Sequence, residues 1–248
     1  MSAVSHIRMK FCALLLPAAC IAILGCSRIP GRPGPGPEVV RPEEVLDFPT
    51  LYKQNCAACH GDNGRNGAAI ALSNPVYIAV AGEAQIRDVV SKGVPNHLMP
   101  AFEKSSGGML TTQQVTAIAH GIVQEWGNAN LLEGQKLPPY LATLPASVDN
   151  GQQAFGTFCA KCHRPDGEGH PAIGKIGKLG SIVDPSYLAL ISDQNLRSIV
   201  IAGRPEDHMP DWRSYSTQPM TDQQITDIVA WLASKRVANP GQPYATHP

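Results

Sequence analysis

NCAACHGDNG, residues 55–64, places two cysteines three positions apart and a histidine directly behind the second. Three chemistries use such a pair: a zinc site, a redox dithiol, or covalent attachment of a haem. Zinc needs four protein ligands and does not require a histidine in that place. A redox dithiol belongs beside a strand–helix unit, and no strand pattern surrounds this stretch. Haem attachment needs this spacing, because two intervening residues match the separation of the haem's two vinyl-derived carbons. The adjacent histidine then lies under the iron. A single motif leaves all three open.

The second half of the chain repeats it. CAKCH spans Cys159–His163, and these two motifs hold four of the seven cysteines. Cys12, Cys20 and Cys26 lie in or just after an apolar N-terminal run. No cysteine is left for a disulfide. Two CxxCH motifs in register point to two covalently bound haem c groups, held by Cys56 and Cys59 in one half and by Cys159 and Cys162 in the other.

The register is that of a duplication. Setting residue n beside n+110 pairs Asn74–Trp126 with Asp184–Arg236 without a gap, with 15 identities in 53 pairs. IRDVVSKGVPNHLMPAF lies over LRSIVIAGRPEDHMPDW, and LTTQQVTAI over MTDQQITDI. The CxxCH motifs are offset by 103, so the second copy carries seven extra residues in the loop GHPAIGKIGKLG. Two copies of about 90 residues mean two similar domains.

Each copy reads as helical. A short helix with an aromatic four residues before the first cysteine (Tyr52, Phe155) leads into CxxCH. A glycine-rich loop follows. Apolar spacing predicts a middle helix near Ala84–Lys92 and Gln194–Ala202. A proline-containing loop then carries Met99 or Met209, and a final helix starts at a capping box, Thr111–Gln114 or Thr221–Gln224. The fold class is all-α. The expected boundaries are a signal peptide at 1–25, a tether at 26–44, domain 1 at 45–127, a linker at 128–147, domain 2 at 148–237 and a tail at 238–248. Prolines make the linker extended.

An iron under porphyrin has two axial positions. His60 and His163 take one each. Met99 and Met209 are the candidates for the other: Met–Pro recurs in register, behind Gly-x-Pro and two residues ahead of an aromatic (Phe102, Trp212). Thioether sulfur is soft and raises the potential. Met as core filler is the competing reading. His97 and His208 are rival ligands, but they face Asp207 and Leu98 rather than each other. A ligand retained through a duplication stays in register. His120 and His170 have no histidine partner in the other copy and read as solvated or packed. Pro171 lies where a backbone carbonyl could orient His163, and no proline stands at the matching place near His60.

His6, Arg8 and Lys10 precede the run Phe11–Gly25, shorter than the roughly 20 residues a membrane span needs. It reads as a secretory signal core. Its end, ILGC, resembles the bacterial lipoprotein signal, which implies lipidation of Cys26; an ordinary signal peptide with a chance cysteine is the alternative. Residues 27–42, rich in Pro and Gly, would extend at roughly 3 Å per residue, up to about 50 Å from a membrane.

Twenty basic and twenty acidic side chains balance, and no basic run suggests nucleic acid. Losing Arg8 and Lys10 with the first 25 residues would leave 18 basic against 20 acidic. The run Gly174–Gly180 is no phosphate loop, since neither of its lysines precedes Ser or Thr.

CxxCH, a glycine-rich loop, Gly-x-Pro…Met-Pro and a final helix, occurring twice between Phe48 and Arg236, together resemble the class I c-type cytochromes. Arg164 departs from the pattern, standing where the first copy has Gly61. The resemblance implies two tandem class I domains, each a small helical fold around one covalent haem. It is similar to exported dihaem cytochromes and to dihaem subunits of respiratory or photosynthetic complexes. The implied function is single-electron transfer between membrane-associated redox complexes on the periplasmic side, with a lipid anchor in the membrane and no small-molecule substrate. A dihaem enzyme of the peroxidase or thiosulfate dehydrogenase type is the alternative, and it needs one iron with an exchangeable position.

Overall fold

The computed structural model describes Gly36, residues 40–171, 180–213 and 218–238, and Pro240. The expected signal peptide, Cys26, most of the tether, the Gly–Lys run except Gly180, and most of the tail lie outside those residues. The described helices belong to one compact unit, Pro42–Pro248. Among the described residues there are helices, turns and isolated bridges, with no strand.

In the first half, α1 (Phe48–Asn55) begins at Asp47, whose carboxylate accepts from the Thr50 N–H at 3.0 Å. Pro49 lies in its first turn, where a missing N–H costs nothing. A short α2 (Ala57–His60) carries the haem motif. α3 (Pro75–Lys92) is two helical stretches joined at Gly82, which has φ 72° and ψ 159°. α4 (Thr112–Trp126) starts with the full capping box of Thr111 and Gln114. The second half repeats the order: α5 (Val148–Phe158), α6 (Ala160–His163), α7 (Pro185–Leu190), α8 (Asp193–Ala202) and α9 (Asp222–Ala233), the last again capped by a box, Thr221 with Gln224. Gly82 of α3 corresponds, 110 residues on, to Ser192, the N-cap of α8. What is a kink in one copy is a full break in the other. The sequence anticipated the helical stretches after these points but not the short ones before them.

Within each half the first and last helices cross. α1 and α4 pack with Phe48 and Tyr52 edge-on to Trp126 at 5.4 and 4.9 Å and tilted to each other at 5.7 Å. α5 and α9 pack with Phe155 against Trp231 at 4.3 Å. The buried centre of α4 is Val115, Ile118, Ala119 and Ile122; that of α9 is Ile225, Ile228, Val229 and Leu232. These are the helical spacings read from the sequence.

The linker is more than a spacer. Residues 129–134 form turns, and Leu132 is buried. Gln114 Nε2 and Gln223 Nε2 each grip the chain leading into their half, at Pro42 and Pro145 respectively. The Arg197 guanidinium, 1% exposed, donates to the carbonyls of Pro139 and Tyr140 and to Thr226, and pairs with Asp222. Burial, with the neighbouring Tyr140 phenol of the linker, pushes the Tyr77 hydroxyl of α3 well above the usual tyrosine range. The linker thereby binds both halves, and the buried apolar cluster runs through both.

Candidate haem sites

Cys56 closes α1 as its C-cap, with its N–H on Tyr52 O, and opens α2 as N-cap. The backbone turn between two helices is thus what sets the CxxCH geometry. Cys159 does the same between α5 and α6, with nearly equal dihedrals (φ −117°, ψ −33° against −118°, −35°). None of these four cysteines is in a disulfide. Burial pushes the thiols of Cys56 and Cys159 up to about 12, with Cys59 and Cys162 as second causes.

His60 is 8% exposed, and its Nδ1 lies 2.8 Å from the carbonyl of Ile70. That acceptor fixes the proton on Nδ1 and turns the bare Nε2 lone pair outward, as a metal-binding histidine requires. Burial holds its pKa below the usual histidine value, with the Ile70 bond opposing. Neutral imidazole is the ligating form. The sequence offered no acceptor for His60 because a backbone carbonyl carries no residue signature. In the second half burial likewise lowers the His163 pKa. Pro171, the expected acceptor, does not meet His163: among the described residues its Nδ1 is buried without a partner. Ile173, 103 positions after Ile70, lies outside them.

The loop after CxxCH depends on glycine in the first copy. Gly61 has φ 81°, and a Cβ there would lie 1.8 Å from the Arg65 carbonyl oxygen. Arg164 holds almost the same backbone (φ 63°, ψ 160°) without being glycine. Its guanidinium pairs with Asp166 at 3.1 Å.

The methionine loops are built alike. Gly93 and Gly203 cap α3 and α8 at φ 70° and 68°. A Cβ at either would collide with the loop backbone, at 2.6 Å from Pro100 C and 2.5 Å from Met209 O. Each loop is then closed by one equivalent bond: Val94 N–H to Met99 O at 3.0 Å, and Arg204 N–H to Met209 O at 2.8 Å. Leu110 N–H to Phe102 O and Met220 N–H to Trp212 O repeat the correspondence. Met99 and Phe102 pack at the edge of the same apolar cluster as Cys56. Met99 and Met209 are both part-buried.

The rival histidines differ. His97 is part-buried with its Nδ1 unpartnered among the described residues. His208 is exposed and left-handed at φ 61°. In the first loop the left-handed residue is instead Asn96. His120 faces Glu83 at 3.3 Å in solvent, and His170 is part-buried.

The donor set fits haem c: cysteines paired across a helix junction in each half, a histidine directly behind them that Ile70 orients in the first half, and a glycine-dependent loop that carries a methionine. Among the described residues no three His, Cys, Asp or Glu side chains converge as zinc would need.

Comparison with known proteins agrees in both halves. Residues 148–235 match the family described as "Cytochrome c", and residues 44–120 match "Cytochrome C oxidase, cbb3-type, subunit III". The chain is similar to the cbb3-type cytochrome c oxidase subunit FixP of Sinorhizobium medicae (strain WSM419), 28% identical over 134 residues, which is 50% of this chain and 40% of that one. It is also similar to subunit CcoP of Azospirillum sp. (strain B510), 24% identical over 156 residues, 56% of this chain and 48% of that one. The chain therefore spans less than half the length of these relatives. A solved chain of the Kuenenia stuttgartiensis reducing HAO-like protein complex Kustc0457/Kustc0458 overlaps it loosely, with a TM-score of 0.44 and 18% identity over 81% of this chain and 99% of that one. With a matched cytochrome domain in each half, each bearing its own CxxCH, the chain belongs to the class I c-type cytochromes as a dihaem member with two covalently bound haem c groups.

Proposed function

We propose that the protein carries single electrons between membrane-associated redox complexes, with His60 and Met99 as axial ligands of one haem and His163 and Met209 of the other. The observation that carries this is the pair of methionine loops, each bent at a glycine with φ near 70° and each closed by the same N–H···O bond. Loops built alike in both copies favour two filled axial positions over one exchangeable one. The names of the relatives, subunits of a cbb3-type oxidase, favour a place as an electron-donating subunit or partner of such a complex.

Haem c, when bound, supplies an iron that cycles between ferric and ferrous forms. The chain's own residues do the rest. Cys56, Cys59, Cys159 and Cys162 hold the macrocycles covalently. The Ile70 carbonyl keeps the His60 ring oriented and its Nε2 free of a proton. Methionine sulfur favours the ferrous form and raises the potential. Tyr52 and Phe155, one turn before the first cysteine of each motif, are buried against Trp126 and Trp231. Nothing in this work needs an acid, base or nucleophile.

Domain limits of 45–127 and 148–237 with a linker at 128–147 accord with the helix order. The export signal at 1–25 and lipidated Cys26 would hold the protein on the periplasmic face of a membrane. Among the described residues no helix is long and apolar enough to cross one. Mass spectrometry of the mature N-terminus checks the anchor. An unmodified residue other than Cys26 there would refute it.

The ligand test uses ferric spectra and redox titrations of four variants. Met99→Ala and Met209→Ala should each open one iron, weakening the far-red sulfur-to-iron band and lowering one potential. His97→Ala and His208→Ala should leave both sites unchanged. A parent with one haem already high-spin and peroxide-reactive would support the enzyme reading instead.

A further inference from the structure

Asn74 stands where the two halves meet, and its side chain is 5% exposed. Its Oδ1 caps α3, accepting from Val76 N–H at 2.9 Å and Tyr77 N–H at 3.3 Å. Its Nδ2 crosses to the other half and donates to Ala202 O at 3.0 Å and Gly203 O at 3.3 Å. These carbonyls end α8, and a helix has no partner of its own for its last carbonyls.

The duplication supplies an internal control. Asp184, the counterpart of Asn74, caps α7 in the same way, accepting from Ser186 and Tyr187 N–H at 2.8 and 3.0 Å. A carboxylate serves equally well as a cap, but it has no N–H to give. Capping therefore does not explain an amide at position 74; the donation across the junction does.

Both ends of this bridge lie next to a ligand loop. Four residues before Asn74, Ile70 orients His60. On the far side, Gly203 is the glycine against which Met209 and Pro210 fold, and the next residue, Arg204, closes the loop onto Met209. A cavity of about 10 Å³ bounded by Ile70, Asn74, Ile199, Gly203 and Arg204 fills the seam, room for about one water.

We propose that Asn74 is a positioning residue that ties the proximal loop of the first haem site to the methionine loop of the second, so that retention of Met209 on its iron depends on the first half of the chain. This rests on Met209 being an axial ligand. There is one such tie and no second, because Asp184 has no N–H to give to the first methionine loop. A tie of this kind is a coupling between two sites, and it makes the two haems inequivalent despite like ligands.

The test is Asn74→Asp in the full-length holoprotein, with Asn74→Ser as a neutral second cap. Asp keeps an acceptor for Val76 and Tyr77 but sets oxygen against the Ala202 and Gly203 carbonyls. Imidazole is titrated into the ferric protein, and the phase lost in Met209→Ala is assigned to the second site. That phase should move to about tenfold lower imidazole, the scale of one buried unmet bond. The second potential should fall, while the first site's phase and potential stay fixed. Amide hydrogen exchange should speed up in 203–210 and not in 93–100. Two unshifted phases, or two phases shifted equally, would overturn the coupling. A parent without the far-red band would instead sink the ligand assignment and the coupling with it. The exchange measurement still decides the tie on its own, since unchanged exchange in 203–210 means that Asn74 positions nothing.

Discussion

The ring of Phe48 lies directly on Gly121: a Cβ added to that glycine would sit 2.2 Å from the ring's Cγ. At the corresponding crossing in the second half the sizes are exchanged. Gly151, offset 103 from Phe48, lies against α9, where Trp231 stands 110 positions after Gly121. One aromatic and one glycine are needed wherever the first and last helices cross, because a side chain on both would hold the helices apart. Which helix supplies which has been reversed between the copies.

Alanine at these glycines should therefore destabilise to different degrees. Gly121→Ala meets Phe48 at its Cβ (2.7 Å) as well as at its ring, so the whole side chain must shift and thermal unfolding should show a loss of about 1–3 kcal/mol. Gly151→Ala would place its Cβ 2.0 Å from the Asp227 backbone oxygen, which cannot move aside, and should lose more. Adding Phe48→Ala should relieve much of the Gly121→Ala penalty and none of the Gly151→Ala penalty, a coupling that a double-mutant cycle reads.

Arg164→Gly should stabilise the second half. Arg164 holds φ 63° and ψ 160°, a region suited to glycine and costing other residues about 1–3 kcal/mol. Loss of its exposed pair with Asp166 offsets little of that. Urea unfolding followed at the second haem should shift to higher midpoint; no shift would mean that the loop bears no strain there.

Arg197 and Arg87 are equivalent in sequence and opposite in environment. Arg197 is buried on the linker carbonyls and Asp222, whereas Arg87 is exposed beside an open cleft of about 240 Å³. Arg197→Ala leaves Asp222 and the Pro139 and Tyr140 carbonyls unmet, and should cost about 3–5 kcal/mol. Arg87→Ala should stay within about 0.5 kcal/mol. Equal losses in denaturant titration would contradict a docked linker.

Glu103 predicts acid sensitivity in the first half. Its carboxylate accepts from Ser91 Oγ on α3 and from Thr112 Oγ1 at the start of α4. These bonds hold its pKa below the ordinary carboxylate value, Ser91 first, with Ser105 and Arg87 adding less. A lowered folded pKa means stabilisation present above the ordinary value and lost as pH falls through the lowered one. Glu103→Gln should be the weaker protein at neutral pH, and the gap should close below about pH 4. A gap constant with pH would rule out the carboxylate as its source.

By itself the sequence determined what depends on neighbours along the chain. CxxCH spacing is dictated by the haem's own dimensions, a capping box spans four residues, and a glycine before a turn is local geometry. The helical class, both cysteine pairs, His60, His163 and the two methionine loops were legible for that reason. The tertiary structure alone decided the rest. Ile70 orients His60 through a backbone carbonyl, which every residue possesses. Arg197 clasps a linker that prolines described only as extended, 58 positions before it. Asn74 reaches Ala202 across 128 positions, and as a letter it differs little from the aspartate that caps the other copy. Such contacts exist only once the core brings distant backbone together, and no local pattern in the chain encodes which carbonyl a buried donor will find.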